Sequence, residues 1–249
     1  DGPPAAISRP HRTSWRNATV DYTTLGRTGL KVSVAGLGCG GNSRLGLEKG
    51  KTEADAIALI HHVMDKGVNL LDTAVRYKTE HVVGQAVKGR DRSRLVLTTK
   101  ARGHVNNQII PAKEVIESLE NSLRVMGLDY IDVFFFHGVP PDIYPRIRDE
   151  LAPALLRERD RGKFRFLGIT ESPPVDFTQQ MTSQAAQDGV WDVIMIGFHM
   201  LNQTPRERLL PHILRHDIGT LVMFVVRNIF SVPGRLEAEI RQQIDEGNQ

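Results

Sequence analysis

Short apolar segments alternate with amphipathic segments of helical period from Tyr22 onward, and this alternation constrains the fold more than any other feature of the sequence. It is typical of βαβ units, in which parallel strands form a sheet that helices cover. The apolar segments predict seven strands, at residues 34–38, 68–72, 95–99, 131–136, 164–169, 193–197 and 220–225. The segments between them predict helices at residues 52–66, 80–87, 112–126, 144–161, 175–188, 204–216 and 236–245. Residues 52–55 predict a capping box at the start of the first helix, and Thr204 is predicted to cap the sixth.

A β-hairpin is predicted before the first of these strands, with arms at residues 22–25 and 30–33. Seven βα units after a hairpin favour an α/β fold of the (β/α)8, TIM-type barrel class, which takes about 250 residues. The count is one strand short, and an open barrel leaves two strand edges unpaired. We therefore predict a barrel domain over residues 21–249 that lacks its eighth strand at the C-terminal end. Residues 1–20, rich in Pro, Arg, Ser and Thr, predict a flexible arm or, alternatively, an organellar transit segment.

The composition is that of a soluble globular chain, with 40% hydrophobic and 24% charged residues. The 32 basic and 29 acidic residues are scattered, so we predict no nucleic-acid partner. No apolar run approaches the roughly 20 residues that span a bilayer, which predicts no membrane segment. The single cysteine, Cys39, excludes an internal disulfide and predicts a reducing, cytoplasmic location. The oligomeric state stays open.

Four polar side chains lie at or just after the ends of predicted strands: Asp72, Tyr77, Lys100 and His137. Active sites of (β/α)8 barrels lie at the carboxyl ends of the strands. A tyrosine can protonate a carbonyl oxygen, and Lys100 can supply the cation that favours its ionised form. Asp72 can hold that ammonium, while His137 can donate a hydrogen bond to the carbonyl. Taken singly, each residue has an ordinary structural explanation, but together they predict carbonyl chemistry.

The segments that carry these residues resemble the catalytic motifs of the aldo-keto reductase superfamily. They read Leu71-Asp72-Thr73-Ala74-x-x-Tyr77, then Thr99-Lys100, then the apolar run into His137. The resemblance extends over residues 22–230. It implies an oxidoreductase that reduces an aldehyde or ketone, or oxidises a sugar or alcohol, with Tyr77 as proton donor. It also implies a nicotinamide cofactor, usually NADPH, with NADH as the other possibility.

The resemblance places the cofactor against Gly38, Thr170, Glu171, Met195, Phe224 and Arg227. Thr170-Glu171 replaces the common Ser-Asn, and a carboxylate can accept from the carboxamide NH2 but cannot donate to its oxygen. Met195 replaces a glutamine, and the aromatic residue that stacks on the nicotinamide is displaced toward Phe224. The eighth strand and the basic segment that grips the adenosine phosphate have no counterpart. The resemblance therefore predicts weakened NADPH binding.

Two other functions compete with the reductase. One is a regulatory or inactive protein of the same fold that binds a nicotinamide cofactor without turnover, which the altered cofactor contacts favour. The other is an aldolase in which Lys100 forms a Schiff base, because that chemistry also uses a lysine at a strand end. A charged Lys100, held by Asp72, disfavours the aldolase.

The motif Gly-x-Gly-x-x-Gly at residues 36–41 also matches a dinucleotide fingerprint. Such a motif opens directly into a helix, whereas residues 42–51 form a polar, glycine-bearing loop. The glycines instead predict a close approach to a cofactor or substrate. The histidines are scattered, so no metal site is predicted.

Overall fold

The computed structural model of the protein describes residues 20–173, 175–225 and 232–247. In chain order, the strands are β1 (Tyr22–Thr24), β2 (Lys31–Ser33), β3 (Leu37–Gly38), β4 (Leu70–Asp72), β5 (Val96–Ala101), β6 (His104–Val105), β7 (Gln108–Ile109), β8 (Ile131–Val139), β9 (Phe164–Glu171), β10 (Val193–Gly197) and β11 (Gly219–Met223). Seven of them form one parallel sheet in the order β3-β4-β5-β8-β9-β10-β11. The seven predicted strands are therefore confirmed, with small shifts of their ends.

The helices lie between these strands. They are α1 (Glu53–Asp65), α2 (Glu80–Val87), α3 (Ala112–Met126), α4 (Tyr144–Arg146), a π-helical turn (Ile147–Leu151), α5 (Ala152–Asp160), α6 (Gln180–Ala185), α7 (Thr204–Arg208), α8 (Leu210–His216) and α9 (Arg235–Asp245). Short 3-10 turns occur at Gly26–Thr28, Arg44–Lys49, Val75–Tyr77 and Arg92–Arg94. The predicted alternation of strand and helix is confirmed.

Two predicted helices differ from the structure. The helix predicted at 175–188 is only Gln180–Ala185. The helix predicted at 204–216 breaks at Leu209, because Pro211 has no N–H and its ring would clash with the carbonyl four residues before it. Thr204, predicted to cap that helix, is instead its first residue. By contrast, the capping box predicted at the start of α1 is present between Thr52 and Asp55.

Both faces of the central strands are buried. Along β8, Val133 and Phe135 point into the barrel interior, where they join Leu70, Val96 and Met195, because side chains alternate with a period of two. The other set, which includes Phe134 and Phe136, packs against the helices. A strand buried on both faces is apolar at most positions, which explains the unbroken run Val133–Phe136. Asp132, just before this run, is buried in ion pairs with Arg92 and Arg165.

The hairpin of β1 and β2 covers the amino-terminal end of the barrel. Its Leu25 and Val32 are buried with the interior residues. The backbone N–H of Arg27 donates to the Asp217 carbonyl at 2.6 Å. At the end of β2, the Ser33 N–H donates to the Asn69 side chain at 2.7 Å. The hairpin therefore connects the start of β4 with the loop before β11.

The sheet has two outer edges, β3 and β11. Within residues 20–173, 175–225 and 232–247, β3 pairs only with β4 and β11 only with β10, so no strand pairs with the outer side of either. A cleft of about 1070 Å³ lies between these edges and reaches the carboxyl ends of the strands. The architecture is thus that of a (β/α)8 barrel with seven of its strands in the described part of the chain, as predicted.

The arm predicted for residues 1–20 lies outside the described residues except for Val20, and the flexible arm remains a prediction. No helix in the described part of the chain combines the length and apolarity needed to cross a membrane.

Candidate active site

The three strands that carry the predicted catalytic residues are neighbours in the sheet, in the order β4-β5-β8. Asp72 is the last residue of β4 and Lys100 is the penultimate residue of β5. His137 lies in β8 at a register shift between Phe136 and Val139. Such a β-bulge leaves residues out of the ladder and re-aims a side chain. The structure therefore brings these predicted residues to one corner of the barrel.

Lys100 and Asp72 form a buried ion pair. The Lys100 side chain is 1% exposed, and its Nζ donates to Asp72 Oδ1 at 2.5 Å and to Oδ2 at 2.7 Å. The third hydrogen bond of the ammonium goes to the Thr73 carbonyl at 2.8 Å. Thr98, opposite Asp72 in the sheet, donates its hydroxyl to Asp72 Oδ1 at 2.5 Å. All three N–H donors of the ammonium are thus satisfied.

Tyr77 lies above this pair in the 3-10 turn Val75–Tyr77. Lys100 Nζ is 5.0 Å from the centroid of its ring. The His137 ring meets the Tyr77 ring edge-on, with centroids 5.5 Å apart. Thr79 steadies the turn, because its hydroxyl bonds that of Thr73 at 3.0 Å and donates to the Cys39 carbonyl at 2.9 Å. A phenol, an imidazole and a neutralised ion pair therefore share one corner.

The surroundings set the protonation states of Tyr77 and His137. Burial, followed by the Asp72 carboxylate, raises the pKa of Tyr77. Burial, followed by the charges of Lys100 and Arg102, lowers the pKa of His137 to about 3. Near neutral pH the phenol therefore carries its proton and the imidazole is uncharged.

The pKa of Tyr77 is raised, although the sequence predicts a nearby cation that favours its ionised form. Burial and the Asp72 carboxylate raise this pKa and outweigh Arg76, which lowers it. The action of Lys100 on the phenol stays a prediction.

The five described residues that were predicted to bind the cofactor divide into two groups. Gly38, Met195 and Phe224 line the cleft together with Asp72 and Tyr77. A Cβ on Gly38 would meet no atom within 4 Å, so the backbone there borders open space. Arg227 lies outside the described residues.

Thr170 and Glu171 are buried beside the cleft rather than lining it. The Thr170 hydroxyl accepts from the Gly138 N–H at 2.7 Å. Glu171 Oε1 accepts from the Gly197 N–H at 2.7 Å. Both side chains bond the backbone at the strand ends, so they also have a structural role.

A model of the aldo/keto reductase family matches residues 36–242, a span that includes the whole corner around Tyr77. The chain belongs to the aldo/keto reductase family. L-Galactose dehydrogenase of Arabidopsis thaliana is 31% identical to it over 209 residues, which are 81% of this chain and 64% of that protein. Aldo-keto reductase YhdN of Bacillus subtilis is 29% identical over 214 residues, which are 82% of this chain and 61% of that protein.

Solved structures agree with this assignment. An aldo-keto reductase of Bacillus halodurans, solved in its holo form, superimposes with a TM-score of 0.67 at 28% identity, covering 82% of this chain and 65% of that one. The present aldo/keto reductase chain thus spans less than two thirds of the length of these relatives.

Sequence reasoning missed several residues that build the corner of this aldo/keto reductase. Thr98 could have been found, because it lies two residues before Lys100 and therefore on the same face of β5. Gly138, with φ +64°, follows the bulged His137, and a glycine next to a strand-end histidine is the available signal for that bulge. Gly40 left no such signal, because its role depends on the approach of a distant side chain.

Gly40 supports the ring of Tyr77. A Cβ at this position would lie 2.5 Å from Tyr77 Cδ2 and Cε2. Gly40→Ala is therefore expected to displace the ring and to lower the free energy of unfolding by about 1–3 kcal/mol. Denaturant unfolding measures this effect. Gly38→Ala is the matched control, since its Cβ meets no neighbour, and equal destabilisation by both variants would contradict the contact.

The low pKa of His137 predicts a loss of stability in acid. Its pKa is about 3 in the folded protein, against an ordinary histidine value of 6.5. Below pH 6.5 the unfolded chain therefore takes up a proton that the folded protein does not, and the folded state is stabilised fully only above that pH. This difference is expected to lower the free energy of unfolding by about 1 kcal/mol for each pH unit from pH 6 down to pH 4.

The measurement is the free energy of unfolding as a function of pH. His137→Asn is expected to have a shallower slope than the wild type in acid. His62→Asn, which replaces an exposed histidine on α1, is expected to keep the wild-type slope. Parallel curves for the wild type and His137→Asn would show that His137 titrates normally.

Proposed function

We propose that the protein is an oxidoreductase that uses NADPH, or NADH as the second possibility, to reduce an aldehyde or ketone, or to oxidise a sugar or alcohol in the reverse direction. The observation that carries this proposal is the corner formed by Tyr77 and His137 above the Lys100–Asp72 pair. Membership of the family supports the class of reaction. The small-molecule carbonyl would enter from the cleft, which Tyr77 lines.

The residues present fit the nicotinamide end of the cofactor. Gly38 leaves open space at the end of β3, and Met195 and Phe224 supply apolar surface on the other side of the same cleft. Thr170 and Glu171 are buried beside the cleft, where they bond the backbone, and would have to turn toward the cleft to contact the carboxamide. When bound, the cofactor supplies the hydride that carbonyl reduction requires. Arg227 stays a proposed contact to its phosphates.

The proton is proposed to come from Tyr77. His137, with a pKa of about 3, carries no transferable proton near neutral pH, but its one N–H can donate a hydrogen bond to the carbonyl oxygen. Tyr77 retains its proton because burial and Asp72 raise its pKa, and it can give that proton to the much more basic alkoxide that forms. The Asp72–Lys100 ion pair lies beneath the Tyr77 ring and supports its position.

The regulatory alternative is favoured by one observation. Glu171 already accepts a hydrogen bond from the Gly197 N–H. It would therefore bind the carboxamide of the cofactor more weakly than the Ser-Asn pair that Thr170-Glu171 replaces. A binding protein of this kind would take up the cofactor and show negligible turnover. The aldolase is disfavoured, because Lys100 Nζ commits all its donors to Asp72 and Thr73, whereas a Schiff base requires a neutral, free amine.

The test is a fluorescence titration with NADPH and with NADH, followed by turnover of a panel of aldehydes and ketones. Binding together with cofactor-dependent turnover is the expected result. Binding without turnover across the panel would favour the regulatory protein, and borohydride trapping of a carbonyl substrate on Lys100 would favour the aldolase. We also propose a cytoplasmic location, which fits the single cysteine, Cys39, buried and unpaired.

A further inference from the structure

A second cavity lies at the amino-terminal end of the barrel. Its volume is about 720 Å³, which is within the range of small-molecule sites. Most of its lining residues come from the hairpin of β1 and β2 and from the segments 64–69 and 90–96, which precede β4 and β5 or begin them. The candidate active site lies at the carboxyl ends of the strands, and its cleft shares no lining residue with this cavity. The two sites are therefore separate.

Hydrogen bonds from the hairpin keep the walls of this cavity in place. The Tyr22 hydroxyl donates to the Gly67 carbonyl at 2.5 Å. The Asn69 side chain donates to the Lys31 carbonyl at 2.9 Å. The Asn69 carbonyl in turn accepts from the Val96 N–H at 2.8 Å. These contacts join β1, β2 and β5 around one space, so the cavity is preformed.

Part of the cavity wall is apolar. Leu30, Leu95 and Val96 line it and are almost fully buried. Met64 of α1 adds a partly buried side chain. The Tyr22 ring also lines the cavity and is 44% exposed, so one aromatic surface is available. Such a lining favours a ligand with an apolar, aromatic body.

The rest of the wall carries charges, most of them positive. Among the described residues, four exposed cationic and two exposed acidic side chains line the cavity: Lys31, Arg90, Arg94, Arg165, Asp65 and Asp91. Asp65 pairs with Arg90 at 3.4 Å. The Asp91 carboxylate accepts from the N–H and the hydroxyl of Ser93, at 3.1 and 2.6 Å. Each acid thus already has a partner.

The remaining cations are only partly neutralised. Arg165 shares the buried Asp132 carboxylate with Arg92, at 3.0 and 2.7 Å, so one acid serves two guanidinium groups. Lys31 Nζ lies 5.2 Å from the centroid of the Tyr22 ring, beside the aromatic surface. In the described part of the chain, neither Lys31 nor Arg94 forms an ion pair. The cavity therefore combines an apolar wall with uncompensated positive charge.

We propose that this cavity binds an organic anion, a small molecule with an aromatic body and one carboxylate or phosphate group. The body would lie on Leu30, Leu95 and Val96, and the anion would meet Arg94 and Lys31. Guanidinium groups bind these oxyanions through charge-assisted, often paired hydrogen bonds, and an ammonium binds them as a point charge. The site goes beyond the proposed reductase function and does not depend on it.

Two other occupants fit the cavity less well. Residues 1–19, which lie outside the described residues, carry three arginines and one acid. Like charges therefore oppose their entry into a cationic cavity. The cofactor is itself an organic anion, but the described residues proposed to contact it lie in or beside the separate cleft. A different small anion is thus the ligand that matches the cavity.

The test is a calorimetric titration of the complete chain with 2-naphthoate, with its neutral amide 2-naphthamide, and with 2-naphthyl phosphate. At least one of the two anions is expected to bind about tenfold more tightly than the amide. This advantage should decline as salt screens the charges. The comparison of the two anions shows whether the site prefers a carboxylate or a phosphate.

Variants place the anion in the cavity. Arg94→Gln and Lys31→Gln are each expected to weaken binding of the preferred anion by about threefold, and the double variant by about tenfold, with little effect on the amide. Arg94→Lys keeps the charge and should retain more affinity than Arg94→Gln. Arg157→Gln, which replaces an exposed arginine on α5, is the control and should bind like the wild type.

Three results would overturn the site. The first is equal affinity for the anions and the amide, or no binding of any of the three. The second is anion binding that the Arg94 and Lys31 variants leave unchanged, which would place the ligand elsewhere, the cleft included. The third is a loss of NADPH binding in the same variants, which would assign these cations to the cofactor. None of them decides whether Tyr77 protonates a carbonyl, so the reductase proposal is tested separately.

Discussion

Replacing Tyr77 with phenylalanine is expected to lower kcat for carbonyl reduction by about 10²- to 10⁴-fold, the usual contribution of a positioned general acid. The substitution removes the phenol O–H and keeps the ring that packs on Gly40 and meets His137 edge-on. His137 cannot replace the lost acid, because its low pKa leaves it uncharged near neutral pH. Lys100 cannot replace it either, since its ammonium is committed to Asp72 and Thr73.

A measurement of NADPH binding distinguishes the loss of the proton donor from a disrupted fold. Tyr77→Phe should bind NADPH about as tightly as the wild type, because the ring and the cleft remain. Tyr130→Phe makes the same chemical change at the opposite end of the barrel, next to Arg92, and should keep wild-type turnover. If Tyr77→Phe retained more than about a tenth of the wild-type kcat, the proton would have to come from elsewhere.

The sequence predicted the sheet because its strands are buried on both faces and therefore contain apolar runs, such as Val133–Phe136. Helix ends were predicted where a local signal exists, such as the capping box of Thr52 and Asp55. The predictions failed where a local signal was overridden. The helical pattern over 204–216 continues through Pro211, but the backbone cannot, so the helix breaks at Leu209.

Within the site, strand ends and residue types were enough to predict that Asp72, Lys100 and His137 would meet, because parallel neighbouring strands end at the same edge. The electrostatics could not be predicted in this way. The pKa of Tyr77 depends on how deeply the phenol is buried and on how near Asp72 and Arg76 lie to it, and residue order does not give these distances. The rest of the proposed cofactor site, Arg227 included, remains a prediction.

Asp72→Asn is expected to lower the free energy of unfolding by about 3–5 kcal/mol, because removing one partner of a buried ion pair leaves the other charge uncompensated. The Lys100 side chain is 1% exposed and that of Asp72 is 17% exposed, so little water can reach the ammonium when the carboxylate charge is lost. An asparagine can offer one carbonyl oxygen to Nζ, but it brings no charge and turns a donor amide toward either Lys100 or Thr98. The same change should also reduce turnover, since the ion pair that supports the Tyr77 ring is lost.

Urea unfolding of the wild type and two variants tests this expectation. Asp65→Asn makes the same substitution in an exposed ion pair, whose Arg90 and Asp65 side chains are 41% and 65% exposed, and it should change stability little because solvent already screens that pair. A double variant, Asp72→Asn with Lys100→Met, should recover part of the lost stability, since it removes the stranded charge as well. If Asp72→Asn were no more destabilising than Asp65→Asn, the buried Lys100 ammonium would have to lose its proton or reach water. The Lys100–Asp72 ion pair would then not hold the Tyr77 ring in position.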